Sequence, residues 1–322
     1  MSAIPSAAQQ RQAHVPGFHE GERIVQERAG VASDAARLEG MLAPGVLSGG
    51  AAMFLAAQSF AVLVGRDHAG DLWASPLLGR PGFLNGLGQT LSVETALEPG
   101  DPLRSLPAGQ PVALIALDLA RRRRFRVNGW LTRVSPTQLV IEVEEAYGNC
   151  PSYIQQRSVE QRWAEPGVTT RRGLEEDGRL SDAAARVVRA ADTFFLGTQH
   201  PRRGADASHK GGNPGFVRIE GTDLLWPDYA GNNMFNSLGN LEADPAAALL
   251  FLDFTEGRVL QLSGAAELEW RQEDETAGDA STGRWVRFRA RGGVLRSSGV
   301  RADAAPKLSP HNPAVLPMSP AT

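Results

Sequence analysis

Only one cysteine, Cys150, occurs among the 322 residues. No intramolecular disulfide and no cysteine-based zinc site can form, and a reducing compartment is the natural reading. No apolar run approaches the roughly 18–20 residues of a membrane-crossing helix. The opening MSAIPSAAQQRQAHVPGFHEGERIVQ also lacks the apolar core of a signal peptide. A cytoplasmic protein that does not engage a membrane is expected. Neither sign of charge is in excess: 33 basic against 36 acidic residues leave a net charge of −3. That balance gives no footprint for nucleic acid. The six histidines are scattered without paired spacing, so no metal site is expected. No GxSxG or related nucleophile arrangement is present either.

What is present is a duplication. ASPLLGRPGFL at 74–84 is answered by ASHKGGNPGFV at 207–217, which sets Ser75 against Ser208 and Gly82 against Gly215 at an offset of 133. Further on, ALIALD ending at Asp118 answers ALLFLD ending at Asp253, and Gly129 answers Gly264, at an offset of 135. Markers kept in register over this distance imply two copies of one folding unit.

Each copy carries short segments rich in β-branched and aromatic residues between Gly, Pro and Asp turns, which predicts a small antiparallel barrel in each half. The expected division is an N-terminal extension (1–50) with a helix from Glu20 to about Gly40, a first barrel (51–165), a second barrel (180–300) and a disordered tail (301–322). Ser181 to Ala191 reads as a capped helix introducing the second copy. Period-2 alternation turns Phe125 and Val127, like Leu260 and Leu262, to a barrel interior. It turns Arg126 and Asn128, like Gln261 and Ser263, to the opposite face, which is either a shared surface or a solvated one.

The copies differ most where polar chemistry would sit. Ser208-His209-Lys210-Gly211-Gly212 reads as a phosphate cradle or as a glycine-rich turn with a surface lysine. The aligned Ser75-Pro76-Leu77-Leu78-Gly79 has no cation. Downstream, Asp228, Asn232, Asn233 and Asn236 crowd beside Trp226 and Tyr229. These side chains can hold a flat heterocycle, or cap a helix. The four arginines at 121–124 could grip phosphate but read better as a solvated hairpin turn. Cys150 reads as a semi-buried structural residue.

ADASHKGGNPGFV, WPDYAGNNMFNSLGNL and NCPSYIQ, in this order with the intervening strands, resemble the FMN-binding split barrels of the pyridoxamine 5′-phosphate oxidase-like superfamily. The resemblance spans about residues 50 to 300. It implies two tandem antiparallel split β-barrels, a mainly β fold with flanking helices, forming an intramolecular pseudo-dimer. It also implies FMN as cofactor. Ser208, His209 and Lys210 would meet its phosphate and ribityl chain. Trp226, Asp228 and Tyr229 would approach the isoalloxazine edge, with Asn232, Asn233, Asn236 and Gln261 adding contacts.

Family members build this site between two subunits, so Trp73, Ser75, Arg126, Asn149 and Tyr153 of the first copy would complete it here. The missing cation in that copy favours one site per chain. FHEGERIVQERAGV resembles the lead-in of proteins that join this module to a ferredoxin-reductase-like flavoprotein, which implies a flavin or ferredoxin reductase partner. The Arg-x-His clamp of the true pyridoxamine phosphate oxidases is missing, so oxidation of a vitamin B6 phosphate is not expected. The expected function is FMN-dependent oxidoreduction of a small-molecule substrate, or acceptance of electrons from a reductase, by a monomer or homodimer. The alternative is a flavin- or haem-binding sensor without turnover.

Overall fold

The computed structural model describes residues 15–43, 45–161, 170–271, 281–302 and 304–315. The single helix expected from Glu20 to Gly40 is instead α1 (Glu20–Arg28), α2 (Ala32–Ala36) and a 3-10 turn (Glu39–Leu42), and α3 (Gly49–Ala56) follows. The break falls at Gly30, which adopts a φ of 69°, a conformation that a helix does not continue through.

Strands β1 (Phe60–Arg66), β2 (Leu72–Leu78), β3 (Leu84–Leu87), β4 (Thr90–Val93), β5 (Gln110–Asp118), β6 (Arg123–Val134) and β7 (Leu139–Gly148) form one sheet. Their order is β2-β1-β5-β6-β7-β4-β3. Short strands β8 (Val159–Gln161) and β9 (Thr170–Arg172) lead to α4 (Asp182–Ala190). The hydroxyl of Ser181 caps α4 by accepting from the Ala184 N–H at 3.3 Å.

The second sheet contains β10 (Thr193–His200), β11 (Gly204–Gly211), β12 (Arg218–Glu220), β13 (Asp223–Tyr229), β14 (Ala246–Asp253), β15 (Arg258–Trp270) and β16 (Ser281–Ser297), with α5 (Asn236–Ala243) between β13 and β14. Its order, β11-β10-β14-β15-β16-β13-β12 with β9 added beside β16, repeats the first strand for strand. The chain is therefore mainly β, two tandem antiparallel split barrels paired as an intramolecular pseudo-dimer. Among the described residues, no helix is long and apolar enough to cross a membrane.

Alternation along the central strands explains both the barrels and their pairing. In β5, Val112, Leu114 and Ala116 fill the first barrel, while Ala113, Ile115 and Leu117 enter a core between the barrels. In β14, Ala247, Leu249 and Phe251 fill the second barrel, while Ala248, Leu250 and Leu252 meet that same shared core. Strands buried on both faces read as unbroken apolar runs, and the barrels cannot part without exposing one of those faces.

Part of the expected disordered tail, residues 301–302 and 304–315, is described and makes contacts with the rest of the chain. Strand β17 (Val300–Ala302) pairs with β8, and the Asn312 amide bonds Gln155 at 3.1 Å.

Candidate functional site

Where β6 and the segment after β7 face β11, β13 and the start of α5, a cleft opens between the repeats. It holds about 890 Å³ of space, counting the solvent at its mouth. Its second-repeat wall carries Ser208, His209, Lys210, Asp228 and Tyr229, continued by Asn232, Asn233 and Asn236. The first repeat supplies Arg126, Asn149 and Tyr153. These sequence candidates, up to 110 residues apart, are thus brought into one cavity.

Four others lie elsewhere. Trp226 is fully buried in the second barrel, because β13 turns it inward opposite Val286. It does not line the cleft. Trp73 belongs to the first barrel's core, its indole N–H donating to Asp67 at 3.0 Å. Ser75 and Gln261 meet each other at the symmetry-related crevice, described below.

The segment read as a phosphate loop is strand β11, with Ser208 opposite Leu196 and Lys210 opposite Phe194. The backbone here is an extended edge strand paired on one side with β10, not a compact loop of converging N–H groups. The glycines have a different purpose. A Cβ at Gly211 would overlap the carbonyl oxygen of Tyr153, so glycine lets the first repeat's Tyr153 loop close over the cleft. A Cβ at Gly212, or at its counterpart Gly79, would collide with Phe216 or Phe83, which explains why both copies keep the spacing G-x-x-G-F.

The electrostatics of the walls are mostly compensated. Lys210 Nζ lies 3.1 Å from Asp228, whose other oxygen receives Arg284 at 3.0 Å. Arg126 forms an ion pair with Asp206 at 2.6 Å across the repeats. Its Nη1 also donates to Tyr147 Oη at 3.1 Å and Asn236 Oδ1 at 3.3 Å. Ser237 Oγ donates to Asp206 at 2.5 Å and lies 2.9 Å from Ser208 Oγ. Asn236 in turn donates to Glu22 of α1 at 2.6 Å. Burial pushes the Glu22 carboxyl up to about 8, against the donors from His19 and Asn236. Burial and the cations Arg124, Arg157 and Lys210 hold the His209 imidazole well below its usual range, so it is neutral.

Arg124, Cys150 and Ser237 also line the cleft. Arg124 closes no solvated turn, because pairing of Asp118 with Arg123 starts β6 one residue earlier. Cys150 is exposed rather than semi-buried. Arg124 was legible by alternation, since it lies two residues from Arg126 on one strand face. Nothing local marked Ser237 or Glu22.

The corresponding crevice on the other side of the pseudo-dimer is filled. Strand pairing places Asn149 at the position of Arg296, and Arg126 at that of Gln261. Arg296 is buried there, 2.5 Å from Glu98 and 2.7 Å from Asp101. Gln261 donates to Ser75 Oγ at 3.0 Å and to Ala74 O at 3.0 Å. Ser75 donates to Asp101 at 2.6 Å. Side chains of the protein occupy the place of a ligand.

One further cluster brings together histidines that look scattered in sequence. His19, Glu20 and His200 hold ligand-type atoms within 4.8 Å of one another. Each histidine Nδ1 accepts from backbone N–H groups, which leaves the ring proton on Nε2, the atom facing the cluster. In that tautomer neither ring offers a lone pair to a metal.

Residues 180–309 match the family model for pyridoxamine 5′-phosphate oxidase. Among curated proteins none matches the sequence. Solved structures that it resembles include a putative pyridoxamine 5′-phosphate oxidase of Lactobacillus delbrueckii (10% identity, 37% of this chain and 95% of that one, TM-score 0.30). An FAD-binding protein of Mesorhizobium loti (11%, 41% and 99%, 0.28) and Group A Streptococcus HupZ (10%, 35% and 91%, 0.29) are similarly distant. The assignment rests on the family model, which spans the second barrel, and on the strand order that the first barrel repeats. The second barrel is thus of the pyridoxamine 5′-phosphate oxidase-like split-barrel kind, and the first repeats its strand order.

Proposed function

We propose that the inter-repeat cleft binds FMN and that the chain is an FMN-dependent oxidoreductase, acting on a small molecule or receiving electrons from a reductase partner. The observation carrying this reading is a cleft, one wall of which lies in the segment that matches the family model, whose polar atoms are left waiting. Asn149 Oδ1, His209 Nε2, Arg124 Nε and Arg126 Nε are buried and have no partner among the described residues. Buried polar groups normally find one, and a polar, planar ligand would supply them. Both walls come from one chain, so the site needs no second copy.

Ser208, Lys210, Asn232 and Asn236 are the second-repeat side chains that would hold such a ligand, with Tyr153 and Tyr229, whose rings pack on each other at 5.2 Å, forming an aromatic edge of the cleft. Bound flavin would supply the electron transfer, and the protein its orientation and surroundings. The visible spectrum of the purified protein, with the released chromophore identified by mass, tests this. Protein that is colourless and stays so after FMN is added refutes it.

A further inference from the structure

We propose that Arg124, from the first repeat, anchors an oxyanion (phosphate or carboxylate) carried by the ligand of the cleft, and that Lys210 does not. The proposal rests on the cleft being a ligand site, but not on the ligand being a flavin.

The charge ledger of the cleft singles out one cation. Lys210 and Arg284 share Asp228, and Arg126 is balanced by Asp206. Arg157 nearby is balanced by Asp192 at 2.5 Å. Arg124 has no carboxylate partner among the described residues. Its Nη1 reaches only the carbonyl oxygen of His209 at 3.2 Å and the ring Nδ1 at 3.4 Å, and its Nε has no partner. Burial, then the neighbouring Arg126, bring its pKa down to about 10. It remains a cation at neutral pH, held where charge is disfavoured. An unpaired cation out of water is costly, and a bound oxyanion relieves that cost with charge-assisted, fork-matched hydrogen bonds.

The duplication supplies an independent argument. The strand pairing that equates Phe125 with Leu260 equates Arg124 with Val259. Val259 is fully buried in the apolar core between the barrels, beside the crevice that Arg296 fills. The cation stands beside the open cleft, and its counterpart beside the closed one is a hydrocarbon. Asn149 and Ser152 line the same wall as Arg124 and add neutral hydrogen-bonding capacity suited to an oxyanion.

The test compares FMN, riboflavin and inorganic phosphate on the full chain as wild type, Arg124→Gln, Arg124→Lys and Lys210→Gln, with circular dichroism as the folding control. Arg124→Gln is expected to weaken FMN and inorganic phosphate about tenfold or more while riboflavin changes by less than about twofold. Arg124→Lys recovers part of the loss, and Lys210→Gln changes the FMN-to-riboflavin ratio by less than about threefold. Loss of phosphate binding with FMN and riboflavin unaffected also supports the subsite and assigns the anion to a substrate. Phosphate binding that depends on Arg124 in a protein that takes no flavin keeps the subsite and removes the flavin reading. The proposal is overturned if wild type and Arg124→Gln treat all three ligands alike, or if Lys210→Gln alone produces the selective loss.

Discussion

Arg126 of the first repeat and Asp206 of the second meet at 2.6 Å, and both side chains are almost wholly buried. The pair fastens the floor of the cleft to both barrels, and Tyr147, Asn236 and Ser237 are bonded to it in turn. Removing one partner leaves the other charge stranded in a dry interface. Arg126→Met is therefore expected to lower stability by about 3–5 kcal/mol. Arg126→Met combined with Asp206→Leu should cost less than the single change. Urea unfolding of the three proteins checks both statements, and a double variant no more stable than Arg126→Met contradicts them.

The filled crevice leads to a stoichiometry. Arg296, Asp101, Glu98 and Gln261 close the counterpart of the cleft with a network whose central members, Arg296, Asp101 and Gln261, are out of solvent. One flavin per chain is expected, measured as bound chromophore against protein. Two per chain would contradict the equivalence drawn between the crevices. Arg296→Met strands two carboxylates, and is expected to destabilise on the same scale of about 3–5 kcal/mol.

Much of the fold was legible because its central strands obey a simple alternation twice over. The repeat markers at Ser75 and Ser208, and at Gly129 and Gly264, fixed the duplication. Alternation placed Val127, Leu260 and Leu262 inward, where they are found. The site was legible only in part. Gln261 was read onto the correct face, but that face belongs to the filled crevice. Trp226 looked like a ring-holding aromatic because it precedes Asp228 and Tyr229, yet two residues along a strand separate a barrel's interior from its rim. Ser208–Lys210 looked like a loop because polar residues and glycines dominate it. Edge strand β11 tolerates that composition because β10 alone satisfies its ladder. Contacts such as Glu22 with Asn236 span 214 residues, and no local pattern encodes them.

Stability should depend on pH through the joint between α1 and α5. Burial raises Glu22 to about 8 and Glu145 to about 7. A carboxyl whose folded pKa is raised keeps its proton in the native state while the unfolded chain has released it. Its favourable contribution is full below the unfolded value of about 4.5, and is lost as pH rises through the folded value. Burial and the nearby His200 and Arg203 lower His19 to about 4, which acts oppositely: that contribution is present above about 6.5 and lost as pH falls towards 4. Below pH 6.5 the two effects offset each other. Between about 6.5 and 8 only the carboxyls of this group act, so stability should fall as pH rises. Glu22→Gln should flatten that slope. An unchanged slope in denaturant titrations of the variant would exclude Glu22 as its source.

Cys150 should report on the cleft without any added probe. It is exposed, it lines the rim, and it is the chain's only thiol. Burial raises its pKa, but hydrogen bonding from Ser152 (Sγ to Oγ, 3.0 Å) and the positive charge of Arg124 outweigh that and lower it. The thiolate is the reactive form, so modification by a disulfide reagent at pH 7 should run several-fold faster than for a free thiol, to one equivalent per chain. Arg124→Gln should slow it by removing the cation. A ligand filling the cleft should slow it further by covering the sulfur. If saturating FMN binds but leaves the labelling rate of Cys150 unchanged, the flavin occupies some other part of the molecule.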